Sequence, residues 1–391
     1  MRLLVVTNLY PPQELGGYGR SIADFVWGLQ QRGHRLEVLS SNAPYLGPGE
    51  ARGPSGEPVH RLLQLKGTYQ NGVQRLNDPQ ARQQIDTANA AAIHQLSQQG
   101  PWDGVLLGNI DLLGPELLQP LLALQLPVLH HIGFVSPPYP LALRPAAAHY
   151  RLLPASEAVR QALLAAGWPV AEEPVVYPGA RTELFGPEIT GLARPLPADG
   201  SAARPLKVCF AGLMMGSKGA HTLVEALIGL HRRGIAVQGT LAGGEFQPGY
   251  RQQLEGWLQQ EGLAGQVRWV GQLQRPALAR MLALHHVGVF PSIHPEAFGI
   301  VGAEMMASGL ALITSGVGGA GELVQEGISG LRFRAGEAAS LEAALLQLVR
   351  DPALVQRLGE AGRQRVQAGF SVAAAAQRLE QAFQPRLTVY R

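Results

Sequence analysis

The chain has 391 residues, 46% of them hydrophobic and 16% charged, which is too apolar for a disordered polypeptide and too long for one ordinary hydrophobic core. Its net charge of +3 is uneven, with 12 basic against 13 acidic residues over 1–175 and 20 against 16 over 176–391. So thin a basic excess excludes a nucleic-acid footprint and suits an anionic small ligand better.

The first element is a strand, "RLLVVT", followed by the loop "NLYPPQELGGYG" and a helix carrying Ile22, Phe25, Val26 and Leu29 on one face up to Gly33. "HRLEVLSS" reads as a second strand. Strand, glycine loop, helix, strand is the unit that builds a parallel sheet with right-handed crossovers. Residues 43–60, rich in Gly and Pro, read as a loop, 79–99 as a helix, and "WDGVLLGN" and "PVLHHIGF" as further strands. Residues 178–206 hold five prolines and little apolar patterning, as an interdomain linker does.

The alternation then restarts with strand "KVCFAG", a helix from Gly219, strand "VQGTLAGG", a helix about 250–262, strand "VRWVGQ", a helix about 276–284 and strand "VGVFPS". Helix 299–308, strand "ALITS", a short helix near 319–326, "GLRFR" and Ala/Leu/Gln-rich helices to about 383 complete the chain. An α/β fold of two similar domains is expected: 1–177, a linker 178–206, 207–370, and a C-terminal helix 371–391 that crosses back to the first domain. A single cysteine, Cys209, no signal-peptide pattern at the start and no run of 18 apolar residues point to a cytoplasmic chain that does not cross a membrane.

The densest stretch is "FPSIHPEAFGIVGAEMMASGLALITSGVGGAGELVQEGISG", residues 290–330. Between Glu296 and Glu322 the only charged residue is Glu304, on a helix of small residues. Two readings of it are open: a carboxylate on the solvent side of a half-exposed helix, or one met by the paired donors of a ligand such as ribose. "EAFGIV" sets glycine-flexible backbone just before that helix, where free N–H groups and the dipole favour phosphate oxygens. Gly16 and Gly17 in the first loop allow a similar close backbone approach, though turns also collect glycine for steric reasons.

This stretch resembles the donor site of the family 4 retaining glycosyltransferases of the GT-B fold, whose signature is two glutamates separated by seven residues, here Glu296 and Glu304. The resemblance covers nearly the whole chain, since "GGYG", "RGHRLEVL", "AGLMMGSKGAHTLVEAL", "VRWVGQL", "FPSIHPEAFGIVGAE" and "SGVGGAGELVQEGISGL" occur in the family's order. It implies two Rossmann-like domains facing each other across a cleft. It also implies a nucleoside-diphosphate sugar as donor substrate, no cofactor and no metal. Glu296 would face the sugar hydroxyls and Glu304 the ribose, with the amides of Phe298, Gly299 and Ile300 at the diphosphate.

Lys218, in "FAGLMMGSKG", matches the lysine that stabilises the leaving diphosphate, and Leu213 stands where the family has an arginine. The chain holds only three lysines among 32 basic residues, so a lysine here runs against its arginine bias; a solvated loop lysine is the other reading. His131, with His130 as second choice, matches a histidine near the sugar's primary hydroxyl, one ring facing the cleft and the other the packing. Both could also be satisfied core histidines. Residues alone leave metal chemistry poorly supported: no Asp-x-Asp pair occurs, and His285 and His286, adjacent on an expected helix, would point apart.

The implied acceptor is a hydroxyl on a sugar, a lipid-linked or a small molecule, in cell-envelope polysaccharide, glycolipid or small glycoside synthesis; membrane contact stays open. A nicotinamide-dependent dehydrogenase would instead show G-x-G-x-x-G after the first strand and an acid at the end of the second. Here those places read "NLYPPQELGGYGR" and "LSSN". A nucleotide-sugar-binding protein that has lost catalysis is the remaining alternative, and Leu213 favours it.

Overall fold

Strand β1, Arg2–Thr7, has no polar face: Leu3, Leu4, Val5 and Val6 are all fully buried, as in a parallel strand covered on both sides. In the computed structural model, which describes residues 1–70 and 72–384, β1 sits inside a six-stranded parallel sheet. Its companions are β2 (Arg35–Ser41), β3 (Val59–Leu63), β6 (Gly104–Leu107), β7 (Val128–Ile132) and β8 (Tyr150–Pro154), in the order β3-β2-β1-β6-β7-β8. A small antiparallel hairpin of β4 (Gly67–Thr68) and β5 (Gln74–Arg75) follows β3. Helix Tyr18–Gln31 presses Ile22, Phe25, Val26 and Leu29, all fully buried, into the core.

A second unit repeats the plan with β9 (Leu206–Ala211), β10 (Val237–Ala242), β11 (Val267–Trp269), β12 (Val287–Phe290), β13 (Ala311–Thr314) and β14 (Leu331–Arg332). Its order is β11-β10-β9-β12-β13-β14, and every pair is parallel. In each sheet the chain runs outward on one side of the first strand and then resumes on the other. Open α/β sheets bind ligands at such reversals, outside the carboxyl ends of the strands.

The units comprise Met1–Pro178 with the chain from Ala375, and Gly179–Ala374. The expected linker 178–206 therefore groups with the second unit from Gly179 on. Helix Val372–Phe383 sends Ala375, Ala376, Leu379 and Phe383 into the core of the first unit. Residues 385–391 of the expected 371–391 helix lie outside the described residues. The sequence reading passes over β8, a five-residue strand at the sheet edge that ends in a proline and offers no period to detect. Residues 43–60 hold a short turn at Pro44–Leu46 and the start of β3.

Candidate active site

The loops that leave β9 and β12 flank the reversal point of the second sheet. They are tied together by the amide of Ile293 donating to the carbonyl of Ser217 at 2.9 Å. Lys218 closes a tight turn, Gly216–Lys218, and Gly219 after it has φ +71° with a Cβ position only 1.9 Å from the carbonyl oxygen of Pro291. Only glycine lets the two loops approach so closely. Lys218 then reaches Glu296: Nζ donates to Oε1 at 2.6 Å, with the side chains 30% and 19% exposed. Lys218 is thus an ion-paired group and not a solvated loop lysine.

Glu296 is held from three further directions. Ser292, buried on the same loop, donates its hydroxyl to that same Oε1 at 2.6 Å. The turn after β13 clamps the Glu296 backbone, whose amide donates to the carbonyl of Val317 and whose carbonyl accepts from the amide of Gly319. Gly318 makes this possible, since at φ +69° a Cβ there would lie 2.4 Å from the Glu296 carbonyl oxygen. The glycines of "SGVGGAG" therefore serve the placement of Glu296. Both side-chain bonds fall on Oε1, and Oε2 accepts none from the described residues.

Glu304 lies on helix Ile300–Ala307 and is 1% exposed, which excludes the solvent-facing reading. A buried carboxylate needs donors, and one is Arg275, whose Nε lies 3.2 Å from Glu304 Oε1 with its side chain 13% exposed. Arg275 opens helix Arg275–Ala283, which follows β11. Gly299, at φ +104°, starts the Glu304 helix without a side-chain cap. The amides of its first turn, from Ile300 on, thus have no intrahelical partner. Phe298 is buried, its ring against Phe370 at 5.8 Å.

In the first unit, Gly16 (φ +67°) and Gly17 lead into helix Tyr18–Gln31, which also lacks a side-chain cap. His131 and His130 at the end of β7 are both 1% exposed, so the structure brings neither ring to a surface. An interior strand is covered on both faces, and its alternating side chains each meet a packed layer. His131 Nε2 donates to the carbonyl of Val176 at 2.9 Å and its ring packs edge-on to Phe25 at 4.9 Å. His130 Nδ1 pairs with the Tyr150 hydroxyl at 2.7 Å. Burial lowers their pKa values to about 4 and about 3, so both are neutral near pH 7.

Leu213 stands half-buried on the β9 loop. His285 and His286 do point apart but lie beyond the end of helix Arg275–Ala283, bonded to Met281 and Thr240 and to Lys207 and Leu196 respectively. Among the described residues no group of three or more His, Cys, Asp or Glu is placed to hold a metal ion.

Sequence reasoning missed Arg275 and Ser292. A signal existed for Arg275, since arginine in the first turn of a helix opposes the macrodipole and so calls for a local anion. The assembled site places a cation beside a carboxylate with one open oxygen, a buried second carboxylate, and an uncapped helix start. Such a set suits an anionic ligand that also bears hydroxyl groups.

The two parallel-sheet α/β units make the GT-B fold. Residues 198–365 match the profile of the family described as glycosyl transferases group 1, and the chain is an enzyme of this kind. It is 28% identical to a glycogen synthase of Mycobacterium tuberculosis, over 100% of this chain and 98% of that protein. Among solved structures it resembles a sucrose-phosphate synthase from Thermosynechococcus elongatus, with TM-score 0.73 and 20% identity over 98% of each chain. It also resembles Anabaena HepE in complex with UDP and glucose, with TM-score 0.71 and 18% identity over 97% of this chain and 98% of that one.

Proposed function

We propose that the chain transfers a sugar from a nucleoside-diphosphate sugar to a hydroxyl acceptor with retention of anomeric configuration. The observation that carries this reading is the joined Lys218–Glu296–Ser292 cluster beside the uncapped helix that bears buried Glu304. Glu304 accepts the ribose hydroxyls, and Oε2 of Glu296 accepts a hydroxyl of the transferred sugar. Lys218 and the amides of Phe298, Gly299 and Ile300 meet the diphosphate. As the bond to the sugar breaks, negative charge builds on the leaving oxygen, and a fixed cation and oriented amides stabilise that charge more than they stabilise the bound donor. The reaction runs without a metal or cofactor, because Lys218 and the amides supply the positive potential. The loops of the first sheet present the acceptor, and Gly16 and Gly17 let the backbone there approach a phosphate or sugar closely. A free, buried Cys209 suits the reducing cytoplasm, where we place the reaction.

A second reading, a nucleotide-sugar-binding protein with weak or lost transfer, is favoured by one observation: Leu213 occupies the place of the arginine expected at the diphosphate. Thermal melting with UDP, GDP and ADP tests the donor site, since a ligand at about a hundredfold its Kd adds about 2.7 kcal/mol. One of the three should raise the melting temperature of the parent and not of Glu304→Ala. No shift with any of them defeats the donor-site assignment. Slow donor hydrolysis without acceptor separates an enzyme from a pure binder, which yields none.

A further inference from the structure

In the first unit nearly every basic side chain that is not fully exposed has a partner of its own. Arg2, Arg20 and Arg151 hold carboxylates at 2.7, 2.9 and 2.8 Å, buried Lys66 holds Asp86 and Glu116, and Arg61 donates to the carbonyls of Tyr10 and Pro11. Arg144 stands apart. Its side chain is half-buried and meets no carboxylate or carbonyl among the described residues, and its Nε is fully buried without an acceptor.

Its surroundings supply no counter-charge. The Tyr139 and Tyr150 hydroxyls, which feel the Arg144 charge, are joined to each other at 2.7 Å and onward to neutral His130. That chain is uncharged and internally satisfied. Arg144 follows the turn Leu141–Leu143 on the loop that leaves the carboxyl end of β7, the edge at which open α/β sheets take up ligands. A partly desolvated guanidinium with an unmet donor is unfavourable in the empty protein and becomes favourable when an anion arrives; its planar fork fits phosphate oxygens in particular.

We propose that Arg144 is the anchor for a phosphate group carried by the acceptor. This rests on the glycosyltransferase reading and narrows the acceptor to a phosphate-bearing class. Exposed Leu141 and Leu143 lie just before the arginine, so the phosphate has two possible sources, a soluble sugar phosphate or a lipid headgroup.

The test uses the full chain and its Arg144→Gln and Arg144→Lys variants, titrated calorimetrically with inorganic phosphate and with glucose 1-phosphate. Each is also sedimented with vesicles of equimolar phosphatidylglycerol and phosphatidylcholine. The expected result is binding by the parent, weakened about tenfold or more in Arg144→Gln, the scale of one lost charged hydrogen bond, and partly kept in Arg144→Lys. Arg144→Gln should melt at or above the parental temperature, because it removes an unmet donor. Arg144-dependent sedimentation without binding of either soluble probe supports the same anchor and identifies a lipid as the source. Parental binding by Arg144→Gln, a lowered melting temperature in Arg144→Gln, or no binding in any arm overturns the proposal. The donor reading is scored separately, by nucleoside diphosphate binding, so either can fail alone.

Discussion

The pairing of Arg275 with Glu304 makes a test in which stability and donor binding move apart. Both side chains are withdrawn from water, 13% and 2% exposed, with Nε 3.2 Å from Oε1. Removing the arginine alone leaves a buried carboxylate without its cation, a change that costs about 3–5 kcal/mol, whereas replacing both partners by uncharged groups of similar shape is close to neutral. In a unit of about 200 residues each kcal/mol is worth about 2–4 °C in melting temperature, so Arg275→Met should melt about 6–20 °C below the parent. Glu304→Gln should lose less, because its carbonyl oxygen still accepts a hydrogen bond. The double variant should recover most of the loss of Arg275→Met and still fail to bind donor, since the proposed ribose acceptor is gone. Scanning calorimetry of the four proteins, with and without the nucleoside diphosphate found to bind, reads both quantities. Additive melting shifts would refute the pairing, and undiminished donor affinity in the double variant would refute the ribose role.

Lys218→Ala should lower the transfer rate by about 10² or more with a smaller change in donor affinity, the signature of a group acting mainly on the departing diphosphate; a folded variant with parental turnover would remove it from the mechanism. His131 is neutral in the fold down to about pH 4 but titrates near 6.5 when unfolded. The unfolded chain therefore binds more protons between those values, and stability present above about pH 6.5 is lost as pH falls toward 4, by up to about 1.4 kcal/mol per unit. His131→Gln should flatten the fall in urea midpoint between pH 7 and pH 5, and an unchanged slope would mean that the ring is already charged in the native state. Transfer should continue at its initial rate in excess chelator; loss of activity that added Mg²⁺ or Mn²⁺ restores would overturn the metal-free reading.

Local sequence determined the alternation of the elements. The stripe Ile22, Phe25, Val26 and Leu29 can be buried only as one face of a helix, and the unbroken apolar run of β1 suits only a strand covered twice. The order of the glycine loops and the two glutamates of "EAFGIVGAE" marked the donor unit for a similar reason, because the turns there admit little but glycine and the paired carboxylates sit one helix entry apart. Edge strand β8 escaped notice, because an edge element draws its stability from one neighbour and needs no period of its own. Burial and partnership were decided by the tertiary structure alone. Glu304 could have faced solvent on its helix, but its burial and the contact with Arg275, 29 residues earlier in the chain, make it an internal carboxylate. Adjacent His130 and His131 looked like one ring in and one ring out until the layers on both faces of β7 enclosed them both. Pattern in a chain reports which face a residue takes on its own element; what covers that face, and whether a charge there finds its counter-charge, depends on contacts between residues far apart in sequence.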